Sequence, residues 1–111
     1  MGLVIEKVSG DNQVIPLRHW GNFAVRVLDG TNRPVVGAKV AWQMSVLGTF
    51  TYVGATDDEG ISTATNIYTS FAPATRTQLA EVVDRDTPVG FTDAAKVKRI
   101  AGPVIFNFDQ R

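Results

Sequence analysis

The chain has 111 residues, a natural length for one compact domain and too short for two ordinary ones. Its 11 basic and 11 acidic side chains cancel, so the basic excess that nucleic-acid binding needs is missing, and the short cluster Lys96, Lys98 and Arg99 reads as a solvated edge. With no cysteine, disulfides, thiolate catalysis and the common zinc sites are excluded together.

Along the chain, 10 glycines and 5 prolines punctuate short apolar runs at intervals of roughly ten residues, the spacing of a sandwich or barrel. Leu3–Val8 reads as a first strand, with Gln13–Leu17 its short continuation after the Ser9-Gly10-Asp11-Asn12 break. Phe23, Val25 and Val27 then alternate with Ala24, Arg26 and Leu28. Beyond the turn Asp29-Gly30-Thr31-Asn32-Arg33-Pro34 lies the clearest strand, Ala38–Val46. There Ala38, Val40, Trp42, Met44 and Val46 share one face, an alternation that a helix would scatter around its circumference.

Tyr52–Thr56 and Ile61–Thr69 flank Asp57-Asp58-Glu59-Gly60, which reads as a hairpin with glycine at the positive-φ position. Asn66 falls where the pattern favours an apolar residue, so either Ile61 and Ile67 face inward or a polar group is buried. Thr77–Val83 is a further strand with two open facings, one through Leu79 and Val83, the other through Ala80 and Val82. Asp84–Pro103 has no clean period. It holds either an edge strand around Ala95–Ile100 or a helical turn from Ala94 capped by Asp93. Val104, Phe106 and Phe108 close the chain in alternation with Ile105, Asn107 and Asp109. The sum is about seven to eight short strands and no amphipathic helix, an all-β domain over residues 1–111. Val25, Val27, Val40, Trp42, Met44 and Phe106 lead the expected core.

The stretch Asp29-Gly30-Thr31-Asn32-Arg33-Pro34-Val35-Val36-Gly37-Ala38-Lys39-Val40-Ala41-Trp42 resembles the second-to-third strand connection of bacterial Ig-like domains of the invasin/intimin type. Thr56-Asp57-Asp58-Glu59-Gly60-Ile61-Ser62-Thr63-Ala64 resembles the same family's later hairpin, and Gly10-Asp11-Asn12-Gln13 its opening segment. The resemblance covers residues 8 to 83 and the final strand Val104–Phe108. It implies an immunoglobulin-like antiparallel β-sandwich of about seven to eight strands. It also implies an extracellular, bacterial cell-surface, adhesin-like parent in which the module is a spacer against neighbouring Ig-like domains. Asp84–Pro103 and Asn66 depart from the family pattern.

The motif has its own physics. Pro34 cannot donate to a ladder and belongs at a strand's margin. Gly37 and Ala38 are expected to let the backbone pass close to the opposite sheet, and Trp42 to fill the inter-sheet space that no disulfide ties. Met1-Gly2 reads as an added start, so the expectation is a module taken from a larger multi-domain protein. No run approaches the roughly 20 apolar residues of a spanning helix, so no direct membrane insertion is expected.

Chemistry has few candidates. His19 is the single histidine, so a serine-histidine-acid mechanism or a multi-histidine metal site has little to build on, and no enzyme is expected. Calcium is the sharper use of the carboxylates: Asp84 and Asp86 stand at alternate loop positions, and Asp57 and Asp58 add oxygens if the loops converge. Roughly six to eight oxygens are needed and no complete EF-type loop exists, so solvated acidic turns are the simpler reading and no cofactor is required. Asp29 and Asn32 fit turn geometry alone. Phe71 and Phe91 read as loop aromatics. They either dock a surface protein or glycan, or tuck under their own loops as satellites of the core. An accessory domain of a secreted hydrolase is the third reading.

Overall fold

The computed structural model describes residues 2–44, 50–65 and 72–111. Those residues form nine strands: β1 Val4–Ser9, β2 Gln13–Ile15, β3 Asn22–Leu28, β4 Lys39–Met44, β5 Phe50–Ala55, β6 Ile61–Thr65, β7 Ala74–Val83, β8 Gly90–Asp93 and β9 Arg99–Gln110. One 3-10 turn, Ala94–Lys96, separates β8 from β9. Two sheets result, with strand orders β1-β3-β6 and β2-β9-β7-β4-β5-β8. Every pairing is antiparallel except β2 with β9. This is the immunoglobulin-like β-sandwich, with β8 the strand beyond those expected.

Alternation sets the layers. Phe23, Val25 and Val27 on β3 bury completely against Val40 and Trp42 on β4, Ala80 and Val82 on β7, and Phe106 and Phe108 on β9. The rings interlock. Phe23 lies 5.3 Å from Phe106 edge-on and 5.4 Å from Phe108, and Trp42 stacks on Phe106 at 5.9 Å. Trp42 also spans the layers, donating Nε1–H to Ser62 Oγ on β6 at 3.0 Å. Of the two facings open for Thr77–Val83, the one through Ala80 and Val82 is found, with Gln78 inward beside them. In β6, Ser62 is buried and Ala64 packs on the core while Ile61 is half-buried, so the facing with Ile61 inward is not adopted. Asn66, Ile67 and Val46 lie outside the described residues, as does the side chain of Met44.

Asp84–Pro103 resolves into parts with separate work. β8 comes earlier than the edge strand expected around Ala95–Ile100. Asp93 does cap the turn from Ala94, its Oδ1 accepting from Ala95 N–H at 3.0 Å. The segment then folds back so that Val97 packs on Ala41, Val53 and Val83, covering the outer face of the larger sheet. Lys39 Nζ donates to the Thr87 carbonyl at 2.7 Å, and Asp84 N–H to the Lys98 carbonyl at 2.9 Å, pinning both of its ends. A segment that is part edge strand, part cover and part turn has no single period to display.

Two glycines carry opposite constraints. Asp57–Gly60 is not the expected hairpin: β5 and β6 lie in different sheets, so this turn crosses between them, and Gly60 closes it at φ 76°, where a Cβ would meet the Val27 carbonyl oxygen at 2.8 Å. Gly37 also has positive φ, 77°, but open space surrounds it. Its role is backbone conformation, not the close approach expected from the sequence.

Trp42→Ala is expected to cost about 3–5 kcal/mol, because the largest buried side chain leaves a void between both sheets. Trp42→Phe should cost less but still about 1–3 kcal/mol, since the Ser62 hydroxyl loses its donor. Urea denaturation of both variants measures this; a Trp42→Ala midpoint matching the parent would remove Trp42 from the core.

Candidate functional site

The register aligns one row of side chains on the inner face of the larger sheet. Ala80 pairs with Trp42, Trp42 with Tyr52, and Tyr52 with Phe91. Cross-strand partners share a face, so the row runs outward from β7 through β4 and β5 to β8. Exposure rises along it: Ala80 is fully buried, Trp42 is 2% exposed, Tyr52 is half-buried and Phe91 is 68% exposed. The cause is topological. Among the described residues the smaller sheet ends at β6, which stands over β5, so β8 projects past it and the inner face of β8 has no second layer.

The Tyr52 and Phe91 rings lie 5.3 Å apart, tilted by 59°. With Trp42, Thr63, Thr65 and Gln78 they line a cavity of about 500 Å³, a volume in the range of ligand pockets. No ionisable acid or base stands among the described lining residues. Gln78 contributes a buried Oε1 that has no hydrogen-bond partner among the described residues, a costly state that a donor would relieve. Gln110, at the same end of the core, accepts from Arg76 Nε at 3.1 Å while its own Nε2 has no acceptor.

Phe91 therefore sits on a strand, not in a loop, and it does not tuck under its own segment. Phe71 lies outside the described residues. Tyr52, Gln78 and the β6 edge were not singled out by sequence reasoning. Period-2 alternation could place Tyr52 on a face, but only the strand order brings it beside Phe91.

The acidic candidates are engaged in turns. Asp57 Oδ1 accepts from Glu59 N–H at 2.9 Å and Ile61 N–H at 3.0 Å, and Asp84 Oδ1 accepts from Asp86 N–H at 3.1 Å. Asp58 is exposed on its turn, as is Asp86. Among the described residues no three His, Cys, Asp or Glu side chains gather as metal ligands. His19 is exposed, with Nδ1 3.0 Å from the Leu17 carbonyl oxygen. Arg99 of the basic cluster pairs with Glu81 at 3.0 Å. Asn32 has φ 67°, as a turn residue does.

Two carboxyls are held below their ordinary range. Asp29 is lowered by the Thr31 hydroxyl, then by the backbone N–H groups of Arg33 and Thr31. Asp11 is lowered by the hydrogen bond from Lys7 Nζ, then by the Asn107 N–H. A depressed folded pKa stabilises the fold above the unfolded pKa and is lost as pH falls through the folded value. Asp29→Asn should therefore flatten the dependence of Tm on pH below about pH 4, while sharing the parent's slope above about pH 6. An unchanged acid limb would mean that Asp29 is not linked to folding. Because Asp57 and Asp84 already serve backbone donors, melts in millimolar calcium and in chelator should superimpose. An upward shift of several degrees would instead make the acidic turns a site.

No family model, no curated protein and no solved structure matches the chain.

Proposed function

We propose that this chain is a non-catalytic Ig-like spacer of the invasin/intimin type in a bacterial cell-surface, adhesin-like protein. The observation that carries this reading is the path of the backbone. β1 begins opposite Leu28 at one end of the sandwich, whereas β9 finishes beside Ile15 and Ala74 at the other. Gln13 Nε2 donates to the Asn22 carbonyl at 3.0 Å, which places that far end at the start of β3. A polypeptide that enters at one end and leaves at the other adds the long dimension of 42 Å to any head-to-tail array. The parallel β2–β9 pairing supports the same role, because pulling along that axis loads its hydrogen bonds together in shear.

The non-catalytic half of the reading is supported by turn-bound carboxylates and an exposed single histidine, which leave no acid-base pair facing the cavity among the described residues. A second reading, that the module also binds a partner, is favoured by the exposure of Phe91 at the end of the aromatic row.

Small-angle scattering on one, two and three copies joined head to tail tests the spacer reading. Each added copy is expected to lengthen the particle by close to 42 Å without widening it. Copies that fold against each other side by side would sink it.

A further inference from the structure

The smaller sheet has one edge that lacks the usual protection. β1 carries Glu6 and Lys7, β2 is only three residues long, and β8 ends in Asp93. Charge and shortness are the ordinary means by which an edge avoids recruiting another strand. β6, Ile61-Ser62-Thr63-Ala64-Thr65, has neither, and among the described residues it pairs with β3 alone.

The register identifies which backbone groups are open. Val27 N–H donates to the Gly60 carbonyl at 2.8 Å, so that carbonyl and the main-chain groups of Ser62 and Ala64 face β3. Ile61, Thr63 and Thr65 direct theirs away. Ile61 is already served by Asp57, donating to its Oδ1 at 3.0 Å and accepting from its N–H at 2.9 Å. That leaves Thr63 and Thr65, spaced as the next strand of a ladder requires. Beneath them lies the shelf of Tyr52 and Phe91.

We propose that a single extended, uncharged peptide segment of a partner protein adds to β6 as a fourth strand, laying alternate apolar side chains on Tyr52 and Phe91. Backbone donors and acceptors alternating along an edge are satisfied by a strand and by little else. β8 projects beyond β6 by one strand, about 5 Å, which matches that occupant. It also disfavours a second copy approaching edge to edge, whose own overhanging β8 would enter the same layer. A flat sugar ring is disfavoured because the two aromatic rings stand at 59° to each other and form no common platform. The neutral cavity accounts for an uncharged segment, and the buried Gln78 Oε1 offers an acceptor to a hydroxyl or amide on it. This proposal does not depend on the spacer reading, since an isolated module would present the same edge.

The test uses the whole chain, isotope-labelled. Four capped nonapeptides are titrated in, alternating serine with valine, leucine, phenylalanine or tyrosine, and methyl glucoside and N-acetylglucosamine serve as saccharide probes. At least one peptide is expected to shift the Tyr52, Thr63, Thr65 and Phe91 resonances and to slow amide exchange at Thr63 by about tenfold or more. Phe91→Ala, at an exposed position where folding should be untouched, is expected to weaken binding by about fivefold or more. Thr63→Pro removes an N–H that faces away from the sheet, a change an edge strand tolerates, and should abolish the peptide-induced shifts at Tyr52 and Phe91. Four outcomes would each overturn the proposal. They are no peptide binding at millimolar concentration, peptide shifts away from β6, Phe91-dependent binding of the saccharides alone, and self-association of the chain through β6.

Discussion

The contact between Trp42 and Ser62 organises the sandwich. With no cysteine in the chain, no disulfide ties the two sheets, and the tie falls to packing. Trp42 supplies both parts of it, a ring stacked on Phe106 and an indole N–H satisfied on β6. A buried indole without an acceptor would cost the fold, so Ser62 being small, polar and inward is a requirement of the tryptophan opposite. That pairing also holds the edge strand β6 at its height above β5.

From there the asymmetry of the sheets follows. Three strands cannot cover six, and each uncovered face has a different solution. On the outer side of the larger sheet, Val97 returns over Ala41, Val53 and Val83. On the inner side, β6 stands beside Tyr52 across the cavity, and Phe91 is left exposed. The same chain segment, residues 84–98, therefore adds β8 to the sheet and seals one face of it while leaving the other face open.

How much of this was legible depended on whether the signal was local. Alternation in Phe23–Val27, Val40–Trp42 and Phe106–Phe108 reports which residues face the core, because period 2 is a property of a single strand. Turn chemistry at Asp29, Asn32, Asp57 and Gly60 is likewise local, and each residue adopts the geometry its type suggests. Strand order is not local. That β2 leaves β1 for the other sheet, or that Phe91 lands beside Tyr52, follows from pairings between distant segments. Phe91 read as a loop residue because Pro88 and Gly90 precede it, yet the edge of a sheet is where such a short, glycine-led strand is tolerated. Gln78 looked like an ordinary polar position in a strand. Its burial is a consequence of neighbours on β4 and β9.

The aromatic row shows how one register can serve two ends. Toward Ala80 its members are buried on both sides, and substitution there changes the stability of the whole domain. Toward Phe91 the same face has lost its opposite layer, so an apolar ring contributes little to folding and exposes area to water instead. A hydrophobic side chain kept at the exposed end of a row is cheap to replace if stability is the only demand on it. An exposed phenylalanine there, beside the β6 edge, fits the strand-addition proposal, in which the ring and the open backbone are used together. Binding at one end and stability at the other can then be altered independently, because Tyr52 separates Phe91 from Trp42.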